Sequence, residues 1–412
     1  MKIPLYGFVF GVFAGIGLAS EAEPWARHVI DAADRPSGKA GADGVRLADA
    51  DGDGRPDVIT GWENGDAIRL CFHPGAAAVR SPWPAVTVGR VKGAEDAVLA
   101  DLDGDGRLDA VTCTEGRTQS VFFHWSPAKV RDSTGWQTEP VPALAGQGKW
   151  MFCLPFDANA DGQIDLIIGS KQSATGLGWL KGPAANHRDL GNWRFARLSE
   201  AGWIMSIRAV DLDGDALSDV VYSDRRGPKA GVWWLRNQGR VGEDGTVFAA
   251  PQSLGFAGEE TMFIDVVDLD GDGRLDIAAA IRPDRIGYLR QPATAEAAWE
   301  TLWHPGVLPP DRFGTAKAVR VGDLDGDGRL EIVVTCENAG GARSGCLFDR
   351  VRLGESAGEA AYRDIGGPDG VKFDRIELLD LDGDGDLDVL TCEEADGLGV
   401  FWYENPARAA AD

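Results

Sequence analysis

One acidic motif, DxDxDGxxD, recurs seven times along the 412-residue chain and restricts its fold more than any other feature. The copies are Asp49, Asp51, Asp53, Asp57; Asp101, Asp103, Asp105, Asp109; Asp157, Asn159, Asp161, Asp165; and Asp211, Asp213, Asp215, Asp219. They continue with Asp268, Asp270, Asp272, Asp276; Asp323, Asp325, Asp327, Glu331; and Asp380, Asp382, Asp384, Asp388. Their first residues are spaced by 52, 56, 54, 57, 55 and 57 positions. A period near 55 describes one supersecondary unit stacked many times, not a set of unlike domains.

Each repeat carries short apolar or aromatic runs bounded by Gly, Pro and Asp. Asp265–Asp268 precedes a loop, Val389–Cys392 follows one, and Gly231–Leu235 and Val400–Tyr403 are aromatic. A fourth run opens with Trp, as in Trp193–Leu198 and Trp299–Trp303. Such runs read as strands. Four strands in each of seven repeats predict an all-β, seven-bladed β-propeller over residues 23–412. The seventh repeat lacks a fourth run. Trp25–Ile30 resembles the others and is expected to complete that blade and close the ring.

Side chains at loop positions 1, 3, 5 and 9, with a carbonyl at 7, offer only hard oxygen donors, the ligand class of Ca²⁺. Gly at positions 4 and 6 lets the loop wrap tightly. Up to seven structural Ca²⁺ sites are therefore expected, the third weakened by Asn159 and the fourth by Ala216 in place of Gly. The alternative is a set of metal-free Asp-Gly turns. Twenty-seven of the 65 acidic residues lie at these ligand positions, which leaves 38 against 41 basic ones. The net charge of −24 thus belongs to the loops.

These loops, followed by short apolar strands, resemble the FG-GAP/VCBS repeats of integrin α-subunit propellers and of exported bacterial proteins. The resemblance spans residues 24–406. It implies a calcium-loop propeller with ligands bound on the face opposite the loops. It does not choose among adhesins, lectin-like binders and polysaccharide lyases.

Residues 1–22 read as a signal peptide: Lys2, an apolar run from Ile3 to Leu18, then small residues. An uncleaved anchor is the alternative, although the run is short for a membrane span. The expected location is secreted or periplasmic, with no membrane span after signal removal. The acidic balance argues against nucleic acid as a partner. Six cysteines without CxxC spacing argue against a thiolate metal site.

If each loop joins two strands, residues six before its first Asp and six after its last ligand meet at the far end of the hairpin, roughly 20 Å away. Six before are Asp43, Glu95, Met151, Met205, Met262, Lys317 and Asp374. Six after are Glu63, Glu115, Lys171, Arg225, Arg282, Glu337 and Glu394. Repeats seven, one and two are acidic at both positions, and repeats three to five pair Met with a cation. The reading is a polar mouth. Glu63, Glu95, Glu115, Asp374 and Lys317 are candidate catalytic groups, because crowded carboxylates shift toward the acid/base range. Lys171, Arg225 and Arg282 are candidate anion-binding groups, with Trp62, Trp150 and Trp203 as stacking platforms. A further divalent metal at the acidic arc is an alternative. The function expected is binding of carbohydrate and its processing, by a lyase or dehydratase acting on an acidic sugar. The alternatives are a non-catalytic glycan- or protein-binding propeller, and solvated loop tips closed by cross-ring salt bridges.

Overall fold

A computed structural model describes residues 23–407, apart from 173, 241, 243–244, 295–296 and 356–360. The segment expected to be a signal, residues 1–22, lies outside the described residues. Seven four-stranded antiparallel sheets form a ring of blades. Blade 1 is Ala42–Ala48, Asp57–Trp62, Ala67–Cys71 and Ala85–Gly89, each strand pairing with the next. Blades 2 to 6 repeat this order. In blade 7, Phe373–Leu379, Asp388–Glu393 and Gly399–Glu404 are joined by Ala26–Asp31 from the start of the chain. No helix among the described residues is long and apolar enough to cross a membrane.

The first strands of neighbouring blades pack on one another around the axis, the first blade closing against the seventh. Burial then falls outward. Every residue of Asp57–Trp62, Asp219–Asp224 and Asp388–Glu393 is buried, because second strands are covered on both faces by adjoining blades. The outer strand Gln137–Pro140 is wholly exposed. This gradient explains why second strands read as continuous apolar runs whereas outer strands are polar. The six cysteines are all buried and unbridged.

In all seven blades the last residue of the motif is the first residue of the second strand: Asp57, Asp109, Asp165, Asp219, Asp276, Glu331 and Asp388. The motif is thus the hairpin between first and second strands. Its own carboxylates fold it. Asp49 Oδ1 accepts from Gly52 N at 2.8 Å and Asp53 N at 3.0 Å, and its Oδ2 accepts from Gly54 N at 2.9 Å. Asp57 accepts from Ala50 N and from His73 N at the end of the third strand, both at 2.9 Å. Gly52 and Gly54 take φ of 76° and 83°, the left-handed region that glycine enters at least cost.

Candidate functional site: the charged mouth of the channel

The first strand of every blade breaks register near its start. The shifts fall between Asp43 and Arg46, Ala94 and Ala97, Trp150 and Phe152, and Ile204 and Ser206. They continue between Thr261 and Ile264, Ala316 and Ala318, and Phe373 and Ile376. A bulge gives two residues where the partner strand has one and re-aims a side chain. Each bulge lies at the residue six before its loop. A single backbone device repeated seven times therefore builds the first ring.

Six of the seven blades contribute to a cavity of about 220 Å³ on the axis, at the end of the hairpins opposite the Asp loops. Its walls include Asp43, Glu63, Glu95, Glu115 and Asp374 with Lys372 from blades 7, 1 and 2, and Lys171, Arg225, Lys317 and Glu337 from blades 3, 4 and 6. Met151, Met205, Phe152 and Trp203 complete the lining. Arg282 stands beside it and pairs with Glu337, which lines it. A larger cleft of about 630 Å³ lies on the rim by Phe348 and Arg363. It adjoins residues outside the described set, and the site is placed at the axis, where the rings converge.

The acidic side is crowded. Carboxylate oxygens of Asp43, Glu63 and Glu95 lie within 4.8 Å of one another, as do those of Asp43, Asp374 and Glu394. Burial, then repulsion from Asp374 and Glu95, holds the Asp43 carboxyl well above the usual range. Burial, then the Glu63 charge, raises Glu95 to about 7. Glu63 is raised by burial and by Glu394. The cationic side is paired. Lys171 meets Glu115 and lies 3.9 Å from Glu95. Arg225 Nε donates to Glu260 at 2.6 Å. Lys317 lies 3.7 Å from both Glu337 and Asp374. Burial pulls the Lys317 ammonium down, but Asp374 and Glu337 outweigh it and leave it raised.

Two of the three expected aromatic platforms need correction. Trp62 and Trp150 are fully buried. Trp62 packs in the core with Leu390 and Trp402 of blade 7, and Trp150 packs edge-on against Phe195 and donates its indole N–H to Leu144 O. Both sit where a second strand or an inner strand is covered by the next blade, so neither presents a ring to the mouth. Trp203 does line it, with Lys171, Arg225 and Arg226 at 5.0, 4.4 and 4.9 Å from its ring centre. Met262 is fully buried and does not line the cavity. Two charged residues fall outside the aligned rings: Lys372, which lines the mouth and pairs with Glu394, and Glu260, which stands beside it and pairs with Arg225. Both precede the bulge, and each stands eight positions before the first Asp of its motif, so an offset of six passes over them although an offset of eight would find both.

The loops fit a hard cation. Oxygens of Asp49, Asp51 and Asp53 lie within 4.8 Å of one another, and so do those of Asp101, Asp103 and Asp109, and of Asp211, Asp213 and Asp215. That spread matches oxygen ligands at 2.3–2.6 Å from one ion. Burial, opposed by backbone N–H donors, raises Asp57 to about 6 and Asp109 to about 7, with repulsion from loop carboxylates adding to the rise.

A profile of the FG-GAP-like repeat matches residues 49–112 and 211–279, segments that include the Asp hairpins of blades 1, 2, 4 and 5. The chain is a seven-bladed β-propeller that contains FG-GAP-like repeats over those two segments. It is similar in fold to YCF48 from Cyanidioschyzon merolae (TM-score 0.51, 11% identity, 93% of this chain and 99% of that one). It is also similar to an inactive variant of virginiamycin B lyase from Staphylococcus aureus, solved with quinupristin (TM-score 0.52, 13% identity, 90% and 98% coverage). No curated protein matches its sequence.

Proposed function

We propose that this propeller is stabilised by Ca²⁺ in its Asp loops and binds the end of an acidic carbohydrate at the mouth of its channel. The observation behind this is the axial cavity, lined by carboxyls and by cations together. Its volume of about 220 Å³ suits one sugar unit entering end-on. Carboxyl and ammonium groups supply the directional hydrogen bonds that sugar hydroxyls require. Glu95, at about 7, can take or release a proton at neutral pH, as a lyase or dehydratase acting on an acidic sugar needs. Ca²⁺ would be held by the carboxylates at positions 1, 3, 5 and 9 and would neutralise the charge gathered there.

A second reading, a non-catalytic binding or scaffold propeller, is favoured by the ion pairs that already link the two sides of the ring, such as Lys317 with Asp374. Turnover separates them. Acidic and neutral glycans are chromatographed before and after incubation with Ca²⁺-loaded protein. A new product, or ultraviolet absorbance from a new double bond, identifies an enzyme. Glycans retained unchanged identify a binder. Binding and turnover unaffected by alanine at Glu63, Glu95, Arg225 and Lys317 would remove the mouth from either role.

A further inference from the structure

We infer that the floor of the mouth is an anion site built on Arg375. This residue follows Asp374 within the bulge of blade 7, so both side chains turn toward the axis. It is 2% exposed, and its Nε, Nη1 and Nη2 atoms have no hydrogen-bond partner among the described residues. Its guanidinium lies 5.5 Å from the ring centre of Phe152 and 5.2 Å from that of Phe263. Phe152 and Asp374 both line the mouth, which puts Arg375 immediately behind that lining.

The other channel arginines differ. Arg46 makes two hydrogen bonds to Asp96, at 3.1 and 2.7 Å. Arg320 pairs with Asp265 at 2.6 Å and donates to Ile376 O. Arg208 donates to Ile264 O at 3.1 Å. At the mouth Lys171, Arg225, Arg282, Lys317 and Lys372 each face a carboxylate. Among the cations of the mouth and channel in the described residues, Arg375 is the one whose guanidinium has no hydrogen-bond acceptor. A buried guanidinium without acceptors is among the most costly polar arrangements in a protein interior. Aromatic faces attract the charge but leave the in-plane N–H fork unsatisfied. That fork fits a carboxylate in two parallel hydrogen bonds, or a single halide.

The occupant is a small monovalent anion: the carboxylate of a sugar entering the mouth, or free halide. As the seat of a sugar acid the site rests on the proposed function; as an anion site it does not. Two measurements test it. Crystals of the unmodified chain are soaked in bromide, and anomalous density is expected on the guanidinium. Wild-type and Arg375→Met chains are melted in chloride, a uronic acid and its neutral parent sugar at constant ionic strength. Wild type is expected to gain a few degrees between about 1 and about 100 mM anion, by mass action on the folded state, and Arg375→Met to gain none. Stabilisation by the uronic acid but not by chloride identifies the sugar's acid group, and equal stabilisation identifies free anion. Absence of bromide from the guanidinium, with melting indifferent to the anion, overturns the inference. If Arg375→Met fails to fold, the bromide density decides. Neutral sugar bound with Arg375 free of anion would leave the mouth standing and remove the site behind it. Bromide on Arg375 with no sugar bound would do the reverse.

Discussion

Single side chains in this molecule are held in protonation states that pull stability in opposite directions with pH. Glu95 takes a proton more readily in the folded chain, at about 7, than in an unfolded one near 4.5. Its contribution is therefore full below pH 4.5 and is lost as pH rises through 7. Glu95→Gln is expected to be more stable than wild type at pH 8 by roughly 1–3 kcal/mol, and nearly equal at pH 4.5. Urea unfolding at both values would measure the difference, and a cost at pH 8 would show that the carboxylate has a stabilising partner. His124 runs the other way. Buried between Thr138 and Thr112, at 2.8 and 3.0 Å, it is pushed down by burial to about 3 from 6.5. The stability it lends is full above pH 6.5 and disappears as pH falls toward 3. The loss is at most about 1.4 kcal/mol per pH unit. In His124→Gln that acid slope should be shallower between pH 6 and 4.

At the scale of the hairpin, two loops depart from the glycine pattern. Ala160 and Ala216 adopt φ of 56° and 68°, where other repeats have Gly. A side chain there costs on the order of 1 kcal/mol. Ala216→Gly is expected to stabilise the fourth hairpin by about 0.5–1 kcal/mol, read as a higher urea midpoint with unchanged slope. An unchanged midpoint would show that the unfolded chain's extra freedom cancels the gain. The same hairpins show what could be read from the chain beforehand. Asp and Gly at set positions define both the turn and the start of the second strand, so blade number and strand order follow from spacing. The mouth was legible in part. A constant offset finds Asp43, Glu95 and Lys317 because every blade has its bulge at one place. It passes over Arg375, since simple alternation would put adjacent residues on opposite faces and the bulge does not. Trp62 and Trp150, neighbours of ring positions in sequence, are credited to the mouth because aromatic side chains at inter-blade contacts and at a rim look alike in sequence.

Across the whole molecule, seven acidic hairpins stand on one face and a mixed ring on the other. If the hairpins hold Ca²⁺, each site adds to folded-state stability through mass action. A chelator is then expected to lower the melting temperature by many degrees, with recovery on adding Ca²⁺ but not Na⁺; an unchanged melt would refute the structural role of the ion. Glycan affinity at the mouth should change far less than stability while the chain stays folded, since the two sites occupy opposite ends of the hairpins.

The seam between Ala26–Asp31 and Gly399–Glu404 has a consequence in time. His28 bonds to Glu404 across 376 positions, so the first of the described propeller strands waits for the last. Until then the growing sheet has an open edge at each end, and the final blade has three strands. Assembly should end with a late, slow step in which the ring snaps shut, since closing so long a segment precedes any reward from the contacts it makes. A polypeptide halted before Gly399–Glu404 would present two raw edges, ready to capture the corresponding strand of another copy.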